Sequence, residues 1–203
     1  FKLRALDSMK QTVNLLTEGG QGLVLTLESE TGRGEVIDLS QVHFEPDRER
    51  LDVDEHGEGQ LLLRAELGDG RVVEKTITAH GDGYGIDVGV RLVGFDEGTM
   101  LFAHWKGGIE LAERDADLDL MAMKAMAYLN ESKSDITVDE DDELESLDDR
   151  GDVRWVGVRN KYFAVMLSPS LETRHRIILQ GRPLPYEPFR EYEFALGTRW
   201  GDV

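Results

Sequence analysis

The passage Val153–Pro169, VRWVGVRNKYFAVMLSP, is the most apolar in the chain, and it constrains the fold to a core built from strands. It divides into two short strands, Val153–Val158 and Tyr162–Leu167, around the polar triplet Arg159-Asn160-Lys161. In the first, Trp155 points to one face and Val156 and Val158 to the other. In the second, Tyr162, Ala164 and Met166 share one face, and Phe163, Val165 and Leu167 the other. Strands apolar on both faces belong in an interior. Aromatic and β-branched residues also suit a pleated core. The pattern therefore predicts the central strand pair of a β-sandwich, with Trp155, Tyr162 and Phe163 as core residues first and contact surface second.

The rest of the chain repeats the strand pattern. Gln11–Thr17 and Gly22–Glu28 read as a hairpin around Glu18-Gly19-Gly20-Gln21, followed by a short strand at Glu35–Leu39. Gln60–Leu67 and Arg71–Ala79 flank Gly68-Asp69-Gly70, and a second Gly-Asp-Gly at 81–83 precedes the alternating strand Tyr84–Gly94. Glycine supplies the positive φ that such turns demand. Thr99–Lys106, His175–Gln180 and Arg190–Leu196 complete the strand set. Phe1–Lys10 fits one helical turn or a frayed end. Pro46 disfavours a ladder position, and Pro183, Pro185 and Pro188 keep their segment extended. Between Leu118 and Leu129 the apolar residues sit at helical spacing, and Ala, Met and Leu favour helix. Asp139–Asp149 holds eight acidic residues in eleven and reads as a solvated, mobile loop. Residues 1–203 read as a single domain.

Charge and composition exclude several functions. The net charge is −18, which opposes binding to nucleic acid and adsorption to anionic lipid. Arginine outnumbers lysine by 16 to 7. Acidic, lysine-poor surfaces suit high salt, so the composition implies a salt-adapted protein. With no cysteine there is no thiol nucleophile and no thiolate metal site. The longest run without a charged residue, Tyr162–Leu171, has ten residues, whereas a membrane-spanning helix needs about 20.

The chemistry-bearing residues do not converge. Asp52–Gly57 has the opening of a calcium loop, but position 12 falls on Leu63 where a bidentate Glu is required. His43, His56, His80, His104 and His175 are scattered, with no two at ligand spacing on one element. No Gly-x-Ser-x-Gly elbow and no His-Glu-x-x-His occurs. The residues predict no catalytic site, no cofactor and no metal centre.

The run Gly151, Asp152, Trp155, Val156, Gly157, Val158, followed by Lys161, Tyr162, Phe163, Ala164 and the stop Ser168-Pro169, resembles the extracytoplasmic domain of the YidC family of Oxa-type membrane protein insertases. Val72–Thr78, the Gly81–Tyr84 step and the strand to Gly94 fit the same family. The resemblance covers roughly residues 11–200. It implies an all-β antiparallel super-sandwich, galactose-mutarotase-like, with little helix, and a strand over Lys124–Leu129 where the local spacing favours helix. It also implies a transmembrane anchor before this segment, a transmembrane bundle after it, and a place on the periplasmic side of the bacterial inner membrane. The implied partners are nascent membrane proteins and components of the Sec translocon, SecD, SecF or SecY. The implied role is a docking or chaperone-like surface that needs no cofactor and makes no bonds. Two other readings stay open. The mutarotase-like fold allows a sugar-binding protein using His104 with Trp105, and His175, although fold likeness does not carry function. An adhesion-type β-domain is the third, but its regular strand repeat is only partly present.

Overall fold

A computed structural model describes residues 2–4, 12–17, 20–29, 34–110, 119–138, 143–184 and 190–201. The described residues form strands β1 (Lys2–Arg4), β2 (Thr12–Asn14), β3 (Gln21–Ser29), β4 (Ile37–Asp38), β5 (Glu45–Pro46), β6 (Glu58–Gly68), β7 (Arg71–His80) and β8 (Ile86–Val93). They continue with β9 (Thr99–Lys106), β10 (Lys124–Leu129), β11 (Ser132–Ile136), β12 (Glu145–Arg159), β13 (Ala164–Leu167), β14 (Arg174–Pro183) and β15 (Arg190–Arg199). All pairings among them are antiparallel.

A large sheet runs in the order β11-β10-β12-β14-β15-β9-β3-β4, with β13 paired to β12. A second sheet runs β5-β6-β7-β8, and β1 pairs β2 alone. Alternation along the large sheet turns Leu25, Leu27, Leu101, Ala103, Trp105, Ile177, Leu179, Phe194 and Leu196 to one face. One end of that face is covered by β10 and β12 through Ala125, Ala127, Leu129, Val153, Val156 and Val158. The other end is covered by the four-stranded sheet through Val73, Val90 and Leu92. Two cores therefore lie side by side under one sheet, which is the arrangement of an all-β antiparallel sandwich.

β12 joins the two parts. Its first half, Glu145–Asp152, pairs β14, and its second half, Val153–Arg159, pairs β10. The register shifts where Tyr128 faces Trp155 and Leu129 faces Val153, so Arg154 is an extra residue. A bulge of this kind bends a strand and re-aims its side chains. Here it turns Val153 and Val156 both inward.

The strands β6 to β9, β14 and β15 fall where the residue pattern predicts them, within a few residues at their ends. The Gly68-Asp69-Gly70 turn has φ of 86°, 52° and 77°, so its glycines are used for left-handed backbone. Lys124–Leu129 is a strand despite its helical spacing. Flanking strands β11 and β12 supply hydrogen bonds on both edges, and tertiary pairing overrides propensity.

Four expectations are corrected. Thr12–Asn14 pairs Lys2–Arg4, not β3, so the first predicted hairpin does not form and residues 2–4 are strand. The Trp155 strand begins eight residues earlier than predicted, at Glu145, and takes up the end of the acidic run. Residues 139–142 of that run lie outside the described residues. Pro46 does enter a ladder, but on β5, an edge strand where its missing N–H removes no bond. Tyr162 is not in a strand: it lies in the turn between β12 and β13 and is 55% exposed.

Candidate docking surface

The tip of the β12–β13 hairpin is built by Asn160, which is 1% exposed. Its Oδ1 accepts the amides of Tyr162 (2.9 Å) and Phe163 (2.8 Å), and its Nδ2 donates to the Glu110 carbonyl (3.0 Å). The polar triplet of the sequence is thus an Asx-type turn whose side chain supplements the backbone bond from the Asn160 amide to the Phe163 carbonyl (3.0 Å). The amide of Lys161 donates to buried Asp119 (3.3 Å), which ties the tip to the turn before β10. Two glycines of the motif are explained by close approach. A Cβ on Gly157 would lie 2.3 Å from the Val165 carbonyl oxygen, and one on Gly151 would lie 2.2 Å from Asn130 Oδ1.

Of the three aromatic residues singled out in this motif, Trp155 is half-buried on the outer face of β12. It stacks at a tilt on Tyr128, centroids 6.4 Å apart. Phe163 is half-buried in the turn, and Tyr162 stands out with the Lys161 ammonium 4.9 Å from its ring. The inner face of the same strands, Val156, Val158, Val165 and Leu167, is what packs in the core. The three aromatic residues therefore surround the hairpin and are not its buried centre.

The histidines proposed for a sugar site do not meet. His104 lies on the outer face of β9 beside Phe102, with its Nε2 3.0 Å from Thr26 Oγ1. Burial, helped by Lys106, holds it down to about 4. His175 lies on the opposite face of the sheet and is 1% exposed. Its ring nitrogens pair with Thr198 Oγ1 (3.0 Å) and the Leu171 carbonyl (3.0 Å). A pair divided by a sheet cannot share a substrate. His80 is a surface residue bound to Asp87 at 2.8 Å, which raises its pKa.

An apolar cleft of about 240 Å³ opens between the large sheet and the four-stranded one, lined by Leu23, Leu25, Leu39, Ile77, Ile86 and Val88 among others. The residue pattern placed these residues in strands but could not show that the two sheets part here. Lys75 crosses the cleft and sets its ammonium 3.4 Å from the centre of the Phe44 ring, and burial lowers its pKa. The cleft runs up to β8, which among the described residues is the open edge of its sheet. Ile86 and Val88 are more than a third exposed there. An edge with free backbone groups beside an apolar cleft can receive an extended chain, with alternate side chains entering the cleft.

A family model described as the YidC periplasmic domain matches residues 3–187. The chain belongs to the YidC periplasmic domain family. Similar curated proteins carry the name membrane protein insertase YidC. That of Prosthecochloris aestuarii is 28% identical over 199 residues, covering 96% of this chain and 34% of the relative. That of Chlorobium luteolum is 33% identical over 116 residues, 56% of this chain and 20% of the relative. That of Chlorobaculum parvum is 26% identical over 196 residues, 94% of this chain and 33% of the relative. This YidC-family chain spans about a third of the length of the first of these relatives. No helix among its described residues is long and apolar enough to cross a membrane.

Proposed function

We propose that this chain is the periplasmic part of a membrane protein insertase and serves it as a docking surface that makes and breaks no bonds. The observation that carries this is the family match over residues 3–187. The relatives' name supports nascent membrane proteins as the clients.

The place best suited to a client is the edge of β8 with the adjoining cleft. A nascent membrane segment is apolar, and before it becomes helical its backbone groups need partners. Among the described residues no strand pairs the outer side of β8, which has Ile86 and Val88 beside it. Cooperation with the Sec translocon belongs to the same reading, with its components as neighbours of this domain. A site for acid–base sugar chemistry is disfavoured because His104 and His175 lie on opposite faces of one sheet.

Amide exchange tests the docking site. Adding an extended apolar peptide from a nascent membrane protein should slow exchange along β8 and leave β11, the edge of the large sheet, unchanged. Equal exchange at β8 with and without peptide would overturn the assignment.

A further inference from the structure

Along the outer face of β10–β13 the sign of the charge reverses. Cross-strand pairing sets Lys133, Tyr128 and Trp155 in one row, and Asp135, Met126, Gly157 and Met166 in the next. Lys124, Arg159 and Ala164 form the third. The guanidinium of Arg154, the extra residue at the bulge, lies 5.4 Å from the centre of the Tyr128 ring and so joins this face. Among the described residues of these rows, four cations thus meet one carboxylate, Asp135, which pairs with Lys124 at 2.8 Å. Glu131 and Asp152 stand only at the margin. Of the apolar groups in these rows Met166 is 50% exposed while Met126, Tyr128 and Trp155 are half-buried, and in the turn before β10 Met121 is 81% exposed.

We propose that this face rests on the anionic headgroup surface of a bilayer. Tyr128, Trp155 and Tyr162 would lie at headgroup level, and Lys133, Arg154 and Arg159 against lipid phosphates. The inference rests on the reading of the chain as a domain tethered to a membrane. Amphipathic rings interleaved with Lys and Arg are the chemistry of a membrane–water interface. A soluble partner protein would be matched by the apolar cleft, whereas this face combines a shallow, partly exposed apolar strip with rows in which cations outnumber the carboxylate. The net charge of −18 disfavours anionic lipid as an average over the chain, and this face departs from the average. Screening decides between the two. The Debye length is about 8 Å at about 0.15 M salt, so acidic residues elsewhere on the molecule are muted while charges in contact with lipid are not. At low salt the whole-molecule repulsion dominates. Binding should therefore pass through a maximum as salt rises, then fall as the contact itself is screened.

The chain lacks cysteine, so Met166→Cys provides a single attachment point for a polarity-sensitive dye, with Arg64→Cys on the outer face of β6 as control. With phosphatidylglycerol-containing vesicles at about 0.15 M salt, the dye at 166 should shift to an apolar signal and the dye at 64 should not. Phosphatidylcholine vesicles should give no shift. Arg154→Gln, Arg159→Gln and Lys133→Gln should each weaken vesicle partitioning about fivefold. Lys133 and Arg154 are exposed and Arg159 is half-buried, and an unchanged melting temperature shows that the fold is kept. No shift at 166 at any salt, equal shifts with both lipids, or a shift produced by an acidic peptide and not by vesicles would overturn the inference. If vesicles fail but a client peptide still protects β8, this inference falls alone and the docking function stands.

Discussion

Asn160 shows how one side chain fixes a functional hairpin. Its amide satisfies three backbone groups that no strand partner reaches, and it is buried while doing so. Asn160→Ala leaves two amides and a carbonyl without their partner and should cost about 3 kcal/mol in a urea titration. A loss under about 0.5 kcal/mol would mean that the turn is held by something else. His104 makes a prediction in pH. Its folded pKa of about 4 lies below the ordinary histidine value of 6.5, so the unfolded chain binds the proton more readily between them. Its contribution to stability is complete above about pH 6.5 and is lost as the pH falls toward about 4. Glu193, raised by burial, and His80, raised by Asp87, act with the opposite sign. The comparison is therefore between the native chain and His104→Gln, which has no such proton to bind. The variant should lose less stability across that window, and parallel pH curves would contradict the assignment.

At the scale of elements, β12 is the strand on which the rest depends, since it pairs with β10, β13 and β14. Gly157→Ala places a methyl against the Val165 carbonyl, a backbone atom that cannot turn aside. It should destabilise by about 2 kcal/mol and loosen β13, read as faster amide exchange at Val165 and Leu167. Unchanged exchange there would contradict the close approach. The individual strands were largely legible in sequence because period-two alternation is local. Their partners were not. The acidic end of β12 looked like a loop because its counter-charge is remote: Asp148 takes the guanidinium of Arg176, 28 residues away, with Nε at 2.8 Å, and that hydrogen bond lowers its pKa. Trp155, Tyr162 and Phe163 were read as core because hydrophobicity does not reveal which side of a strand is covered. The valines beside them fill the interior, and the aromatic residues lie outside or at the turn. The cleft was not legible at all, since it exists only where two sheets diverge.

For the whole molecule, the charge and the fold make separate claims. A chain at −18 repels itself in dilute buffer, so its melting temperature should rise between low and about molar salt. A melting temperature indifferent to salt would remove the salt-adapted reading and leave the fold untouched. The central claim is that β8 and its cleft receive nascent membrane proteins on behalf of an insertase. The most direct measurement is photocrosslinking in membranes, using a light-activated residue at Val88 or at Arg64, on inner and outer faces of one sheet, in the presence of a stalled nascent membrane protein. Adducts from Val88 and few from Arg64 are the predicted result. No adduct from Val88, or equal adducts from both positions, would contradict it.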